Sequence, residues 1–354
     1  MSSVLFITSL LVTVGLIIVL YPFAQKIGLL DKPNHRKLHQ KPIPIIGGLA
    51  IYLAILFTLL VNDISSFHQA AFLSAATILV CVGLIDDYKG LSVKFRIIAQ
   101  IAVGFIMTEF AGIKITELGD LFGSGSIELG DFSTAFTIFA VVGGINAFNM
   151  IDGIDGLAGS LTLISITTIA MVSWLSQNWP VYYFCIILIA SIIAFLLFNL
   201  RIVGRKRASI FLGDTGSTLL GFSVCWLSIY ASQGESRIIT PTSVLWLMAI
   251  PLFDSVSIMC RRMSKGCSPF SPDREHLHHI LSKAGYKVNQ KLIIIDFFAV
   301  ALSLIGTIAS FFLGVPEWIL FFSFLCLFAG YYWCMNCACK GGKVSQSHET
   351  VPRN

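Results

Sequence analysis

The sequence predicts an all-α integral membrane protein, a bundle of about eleven transmembrane helices. Its composition is 56% hydrophobic and only 12% charged, whereas soluble domains average about 25% charged residues. In addition, 22 of the 24 Lys and Arg residues lie in five short segments that alternate with long apolar runs. Basic loops of multi-pass membrane proteins face the cytoplasm. We therefore expect the five segments on that side: 26–41, 89–96, 201–207, 261–291 and 340–353.

Each predicted span is an apolar run of roughly 20 residues, long enough to cross a bilayer. No Lys or Arg precedes Lys26, so the basic flank follows the first run, and the N-terminus is expected on the periplasmic side. Alternating crossings then place every basic segment and the C-terminus in the cytoplasm, and the acidic stretch 114–131 outside. The predicted spans are 3–24, 45–61, 69–86, 96–112, 133–150, 157–175, 181–200, 216–232, 241–259, 292–314 and 317–336.

The chain is expected to form a single polytopic catalytic domain, residues 1–336, followed by a short cytoplasmic tail, 337–354. The net charge of +5 is confined mostly to short loops between apolar runs. This distribution argues against nucleic acid and for anionic headgroups or phosphorylated substrates. Nine cysteines imply no disulfide framework. Cys334, Cys337 and Cys339 cluster near the end without a second pair, so we interpret them as reduced thiols.

Acidic pairs stand where two predicted spans end. Asp86 and Asp87 close the third span, and Asp152 and Asp155 close the fifth. The helix macrodipole disfavours an anion at a C-terminus, so paired acids there need a reason. A bound Mg²⁺ supplies one, because it takes one or two carboxylates together with substrate phosphates. The alternative is a solvated helix end with glycine caps.

Two asparagines precede the second acidic pair. Asn146, Asn149, Asp152 and Asp155 recur at every third position, so consecutive members are expected to share one helix face. Both asparagines are therefore candidates for substrate binding beside the carboxylates.

Two further aspartates have competing interpretations. Asp214 opens a predicted span and is a candidate N-cap and a candidate metal ligand beside a helix N-terminus that also attracts phosphate, two roles that can coexist. Asp254 lies within the ninth span, where an ionisable residue is a functional candidate by default. It is equally placed to pair with Arg261 or Arg262 one to two turns later.

The fourth basic segment contains a histidine motif. Arg274, His276, His278 and His279 combine imidazoles with a guanidinium, which suits hydrogen bonding and charge compensation around a diphosphate. A zinc site and a solvated amphipathic loop are the alternatives. The glycine pair Gly47 and Gly48, after the first basic segment, is a further candidate corner for an anion.

Together these motifs resemble the polyprenyl-phosphate N-acetylhexosamine-1-phosphate transferases over nearly the whole chain. Five motifs appear in the family's order: the loop from Asp31 to Asn34 with Gly47 and Gly48, the pair Asp86 and Asp87, the run Asn149 to Gly156, the segment Gly213 to Ser217, and His276 to His279. The spacing of the last motif resembles the branch that uses UDP-N-acetylglucosamine, since the muramoyl-pentapeptide branch carries three consecutive histidines.

The resemblance implies an eleven-helix bundle in the bacterial inner membrane with a cytoplasmic active site and Mg²⁺ or Mn²⁺ as cofactor. The implied reaction joins UDP-N-acetylglucosamine to undecaprenyl phosphate and releases UMP. In this family it begins the assembly of O-antigen and enterobacterial common antigen. The particular UDP-N-acetylhexosamine, homo-oligomerisation, and the choice between direct attack and a covalent aspartyl intermediate stay open.

By the same resemblance, Asp214 with Asp152 or Asp155 would hold the metal. Asp86 or Asp87 would deprotonate or position the lipid phosphate. Arg96 occupies a basic position of the family and would contact phosphate, with Lys94 as its alternative.

Two other classes fit less well. An intramembrane aromatic prenyltransferase also uses aspartates and Mg²⁺, but it needs two spaced Asp-rich motifs, which the adjacent Asp86 and Asp87 do not form. A secondary transporter places ionisable groups near the bilayer midplane. Here only Asp254, Asp296 and Glu109 lie deeper in predicted spans.

Overall fold

The computed structural model describes residues 1–31, 42–62, 68–201, 205, 207–234, 237–269 and 275–346, and these are almost entirely helical. The first half of the chain forms seven long helices. They are α1 (Ser2–Ile27), α2 (Gly47–Val61), α3 (Gln69–Lys89), α4 (Val93–Phe105, extended by a π-helical turn, Ile106–Phe110), α5 (Ser133–Ile151, preceded by a 3₁₀ turn, Gly130–Phe132), α6 (Leu157–Leu175) and α7 (Trp179–Asn199).

The second half begins with the central helix and ends with the longest one. Its elements are α8 (Gly213–Ser232), α9 (Pro241–Leu247), α10 (Ala249–Ser264), α11 (Leu277–Lys283), α12 (Val288–Thr307, extended by a π-helical turn, Ile308–Phe312) and α13 (Glu317–Gln346).

Every predicted span coincides with a helix or a helix pair. Among the described residues, seven helices are long and apolar enough to cross a membrane: α1, α3, α5, α6, α7, α12 and α13. Helices α9 and α10 together make an eighth span, bent by 80°. The all-α membrane class is therefore confirmed, whereas the count of eleven and the orientation of the termini stay predictions.

The remaining three predicted spans are α2, α4 and α8. Helix α2 is only 15 residues long. Helix α8 is surrounded by protein: 17 of its 20 residues are buried, and it packs against α2, α3, α5 and α6. A helix that faces other helices instead of lipid can carry Ser, Thr and Gly, which lowers its hydropathy. Phe222 and Trp226 form an aromatic cluster on it with Phe72 of α3.

Close helix approaches at glycine bring α8 against its neighbours. A Cβ added to Gly83 of α3 would lie 2.4 Å from the Cα of Thr215, and one added to Gly48 of α2 would lie 2.3 Å from the backbone nitrogen of Gly216. Such contacts are possible only without a side chain, and small residues let helix backbones meet in this way in membranes. The glycines thereby set the position of the first turn of α8.

A short irregular region joins the starts of α2 and α8. Strands β1 (Leu30–Asp31) and β2 (Ile43–Pro44) pair antiparallel. Phe211 lies beside the second strand, and its amide donates to the carbonyl of Pro44 at 2.8 Å. The amides of Gly47 and Gly48 donate to the carbonyls of Phe211 and Leu212 at 3.0 and 3.1 Å. Both amides are therefore already bonded within the protein, and the prediction that this corner faces an anion stays a prediction.

Replacing Gly83 by alanine should destabilise the protein, because the new methyl group would overlap the backbone of Thr215. Overpacking of this kind costs ~1–3 kcal/mol. Gly143 of α5 has no atom within 4 Å of its added Cβ, so Gly143→Ala should be neutral or slightly stabilising through its helix propensity. Thermal unfolding of the two detergent-solubilised variants compares them, and equal melting temperatures would contradict the close contact.

Candidate active site

Asp87, which belongs to α3, caps the N-terminus of α8. Its Oδ1 accepts the Asp214 amide at 2.8 Å, and its Oδ2 accepts the Thr215 amide at 3.1 Å and the Thr215 hydroxyl at 2.7 Å. The first amides of a helix have no partner within the helix, and a carboxylate there also complements the macrodipole. The N-cap interpretation of Asp214 is therefore wrong: Asp214 lies inside the first turn, and Asp87 supplies the cap.

Gly213 permits this approach. Its φ of +77° lies in the left-handed region, and a Cβ on it would lie 2.5 Å from Asp87 Oδ2. Glycine is therefore required here both by conformation and by space.

Arg96 connects the first acidic pair to Asp214. Its Nη1 donates to Asp86 Oδ2 at 3.1 Å and lies 3.8 Å from Asp214 Oδ2. Asp86 is buried and also accepts the Leu91 amide at 2.6 Å. Lys94 is exposed and forms no ion pair among the described residues. Of the two predicted phosphate contacts, Arg96 is the one placed at the carboxylates.

The two asparagines occupy different environments. Asn149 donates through Nδ2 to Asp214 Oδ1 at 2.5 Å and to Ser217 Oγ at 2.8 Å. Asn146 instead donates to Gln100 Oε1 at 2.6 Å, one turn away from the carboxylates. Asn149 therefore orients Asp214, whereas Asn146 joins α5 to α4.

Asp152 and Asp155 do not share the helix face of the asparagines, and that prediction is wrong. Helix α5 ends at Ile151, so both aspartates lie in the loop before α6. The Asp155 Oδ2 accepts Arg201 Nε at 2.6 Å. The loop is held by buried Asn199, whose Oδ1 accepts the Gly156 amide at 2.6 Å and whose Nδ2 donates to the Ile210 carbonyl at 2.8 Å.

Asp152 has no such partner. Among the described residues, its carboxylate accepts no hydrogen bond and forms no ion pair. Burial raises the pKa of Asp152 to about 8, and the charges of Asp214, Asp155 and Asp87 add to the increase. Carboxylates this close repel one another, and a cation bound among them would relieve the repulsion.

The donor set fits a divalent cation that also binds substrate. Within the described part of the chain, no three His, Cys, Asp or Glu side chains are arranged as a preformed metal site. Mg²⁺ needs fewer protein ligands, because one or two carboxylates, waters and substrate phosphates complete its coordination. Asp152 and Asp214 are the candidate pair for such a cation, since Asp155 forms an ion pair with Arg201.

The histidine motif packs directly over the Asp152 loop. A Cβ added to Gly153 would lie 2.2 Å from His278 Nε2, and the rings of His278 and His279 are 4.2 Å apart. His278 is only 3% exposed. Burial lowers the pKa of His278 to about 3, and the neighbouring His279 and His276 add to the shift. It is therefore a neutral imidazole at physiological pH. Arg274 lies outside the described residues.

Asp254 contacts the histidine motif and not the arginines of its own helix, α10. Its Oδ2 lies 2.8 Å from His276 Nδ1, and its Oδ1 accepts the Leu277 amide at 2.9 Å. Arg261 instead pairs with Glu275 at 3.3 Å. The predicted pairing of Asp254 with Arg261 or Arg262 is wrong, because α11 folds back and supplies donors closer to the carboxylate.

Sequence reasoning missed three positioning residues of this site: Thr215, Asn199 and Arg201. Thr215 sits within a recognised motif, but only the tertiary contact with Asp87 reveals its use. Asn199 was detectable in principle, because an amide at the end of an apolar span must find hydrogen-bond partners. Arg201 was counted only as a topology signal.

Comparison with known proteins agrees with this arrangement. The family model described as "Glycosyl transferase family 4" matches residues 69–232, which contain both acidic pairs and Asp214. The chain is 42% identical over 317 residues to the undecaprenyl-phosphate alpha-N-acetylglucosaminyl 1-phosphate transferase of Escherichia coli strain K12, with 90% of this chain and 86% of that protein covered. Proteins of the same name from Yersinia pestis and Haemophilus influenzae are 40% and 36% identical, each over 312 residues covering 88% of this chain.

The fold and site thus define a multi-pass membrane protein with a carboxylate-rich centre suited to phosphorylated substrates. The chain belongs to glycosyl transferase family 4.

Acidification should destabilise the protein through His278. Its folded pKa of about 3 lies below the ordinary 6.5, so the unfolded state binds more protons between these values and the free energy of unfolding falls as pH falls. The slope approaches ~1.4 kcal/mol per pH unit below pH 6.5. His278→Gln removes this titration, so its melting temperature should fall less from pH 7 to pH 5 than that of the unmodified protein. An equal decrease in both proteins would contradict the assignment.

Proposed function

We propose that this protein transfers N-acetylglucosamine 1-phosphate from UDP-N-acetylglucosamine to undecaprenyl phosphate, forming N-acetylglucosaminyl-diphospho-undecaprenol and UMP. The observation that carries the proposal is the similarity to transferases of that name over about nine-tenths of the chain. The convergence of Asp87, Asp214, Asp152 and Arg96 supports it, because such a site suits a reaction between two phosphorylated substrates.

The reaction is a phosphoryl transfer between two anions. An oxygen of the lipid phosphate attacks the β-phosphorus of the nucleotide sugar, the bond from that phosphorus to the bridging oxygen breaks, and UMP leaves with the bond's electrons. A phosphate monoester has a second pKa of about 6, so the attacking oxygen is already largely deprotonated at neutral pH. Catalysis then depends mainly on positioning and on offsetting charge.

Arg96 is the cation best placed for this role. It already lies between Asp86 and Asp214, so its guanidinium is held in position before substrate arrives. Preorganised charges stabilise a transition state without reorganising during the reaction. Asp86 and Asp87 then act by orienting Arg96 and the first turn of α8 around the lipid phosphate.

Asp152 and Asp214 would hold the divalent cation, Mg²⁺ or Mn²⁺, with Asp155 as a reserve ligand if Arg201 moves away. When bound, the cation neutralises the diphosphate and polarises its oxygens. Asn149 keeps the Asp214 carboxylate oriented through the 2.5 Å hydrogen bond.

The proposed location is the bacterial inner membrane, with eleven spans, a periplasmic N-terminus and the active site at the cytoplasmic face. The proposed role is the first membrane step of O-antigen or enterobacterial common antigen assembly. The concentration of basic residues in segments beside the active-site residues supports this orientation.

Purified protein in detergent or nanodiscs should release UMP from UDP-N-acetylglucosamine only when undecaprenyl phosphate and Mg²⁺ or Mn²⁺ are both present. Chromatography of UMP together with extraction of the lipid product measures the reaction. UDP-N-acetylgalactosamine tests the alternative sugar. One UMP per enzyme without acceptor would indicate a covalent aspartyl intermediate, and no UMP under any condition would refute the proposal.

Asp214→Asn should lower turnover on the order of 100-fold, the scale of losing one preorganised electrostatic contact. The side chain keeps its shape and can still accept the Asn149 hydrogen bond, so the fold should persist. Asp131→Asn, which changes an exposed carboxylate in the stretch predicted to lie outside, is the matched control and should turn over normally. Normal activity of Asp214→Asn would move the metal assignment to Asp152 and Asp155.

A further inference from the structure

Asp254 is the shared acceptor of a hydrogen-bond network, and it does not belong to the group formed by Asp86, Asp87, Asp152, Asp155 and Asp214. It is only 1% exposed, yet all its described partners are donors or an imidazole. Besides Leu277 and His276, it accepts the hydroxyl of Tyr331, whose Oη lies 2.9 Å from Asp254 Oδ1. A buried carboxylate is costly unless such donors satisfy it. Three elements, α10, α11 and α13, therefore meet at this one side chain.

The network selects one tautomer of His276. A carboxylate accepts hydrogen bonds only, so the His276 Nδ1 that lies 2.8 Å from Asp254 Oδ2 must carry the hydrogen. In the neutral ring, Nε2 is then the acceptor. Carboxylates behind functional histidines fix ring orientation and tautomer in this way.

Tyr331 determines how Asp254 is oriented. Its hydroxyl and the Leu277 amide share Oδ1, which leaves Oδ2 for the imidazole. The Tyr331 ring packs 5.7 Å from that of Phe253, the neighbour of Asp254 in α10. The hydroxyl is therefore held against the carboxylate by packing as well as by the hydrogen bond.

The orientation of His276 is linked by a series of contacts to the loop that contains Asp152, where the cation is proposed to bind. The rings of His276 and His278 stack at 5.5 Å with an interplanar angle of 15°, and His278 packs against Gly153, next to Asp152. The far end of α11 is also tied, because Lys291 Nζ donates to Ser282 Oγ at 2.7 Å. Because both ends of α11 are held, a change at Asp254 should alter the orientation of the His276 ring more than the position of α11.

We propose that Tyr331 is a positioning residue of the transferase: acting through Asp254, it fixes the orientation and tautomer of His276 beside the substrate diphosphate. This inference rests on the proposed function. Tyr331 itself touches neither the carboxylate centre nor the histidine rings in the described contacts.

The test compares Tyr331→Phe with Tyr332→Phe. Both changes remove one hydroxyl from adjacent residues of α13, but the Tyr332 hydroxyl has no hydrogen bond among the described residues. We expect Tyr331→Phe to lower kcat about 10-fold, the kinetic equivalent of one hydrogen bond to a charged group. KM for both substrates should stay within about twofold, and the melting temperature should fall somewhat, because the buried Asp254 carboxylate loses one of its donors. Tyr332→Phe should match the unmodified enzyme.

The pH profile of kcat is a second readout. Because the Asp254 carboxylate that faces the imidazole then has one donor fewer, the pH dependence of kcat should differ between Tyr331→Phe and Tyr332→Phe. The other groups facing this network are His278, His279, Lys291, Arg261, Glu275 and Cys339, and Tyr331→Phe changes none of them.

Hydrogen exchange gives a readout without turnover. Peptides spanning 276–283 should exchange several-fold faster in Tyr331→Phe, because Leu277 loses a fixed acceptor.

If Tyr331→Phe matches Tyr332→Phe in kcat, pH profile and exchange while the unmodified enzyme is active, the positioning role is refuted and the proposed function stands. A kcat loss in Tyr331→Phe that comes without any change in the pH profile of kcat or in exchange would also refute it. If the unmodified protein transfers nothing, the proposed function fails, and unchanged exchange would refute the Tyr331 contact separately.

Discussion

The contact between the Asp87 carboxylate and the first turn of α8 is the interaction on which the site depends. Helix α8 is almost entirely buried, so its first amides have little access to water and need protein acceptors. Asp87 supplies both oxygens, and this fixes where Asp214 and Thr215 stand relative to α3. Gly83, Gly48 and Gly213 permit the close approach. The proposed catalytic residues are thereby held by the same hydrogen bonds that satisfy the first amides of α8.

A second consequence is an accumulation of negative charge without full compensation. Asp86 has Arg96 and Asp155 has Arg201, but Asp152 has neither a donor nor a cation among its described neighbours. A buried carboxylate without a partner destabilises the fold, and such features are expected at sites whose residues are selected for binding. Under the proposed function, a divalent cation would compensate these carboxylates and would also bind the phosphates of the nucleotide sugar. Binding of the cation and of the nucleotide sugar should therefore be coupled.

The histidine side of the site follows a different principle, because it is organised by stacked imidazole rings and a buried carboxylate. His278 contacts the Asp152 loop as an uncharged imidazole, and Asp254 holds His276 from behind. Under the proposed function, charge compensation of the diphosphate by the described residues would therefore fall on Arg96 and the proposed cation more than on His278. In that proposal the described part of the motif would contribute orientation and hydrogen bonds, and its position is held by residues of two other helices, Asp254 of α10 and Tyr331 of α13.

The sequence by itself determined the membrane class, the positions of the helices and the membership of the acidic and histidine motifs in one site. These follow from composition, apolar run length and motif order, all of which are local properties of the chain. Only the tertiary structure decided the partners: Asp87 and not Asp214 caps α8, Asp254 pairs with His276 and not with Arg261, and Asn199 braces the Asp155 loop. A buried polar group binds whichever complementary group packing brings nearest, and those groups lie 22 to 127 residues apart. Spacing along the chain carries no information about that distance in space.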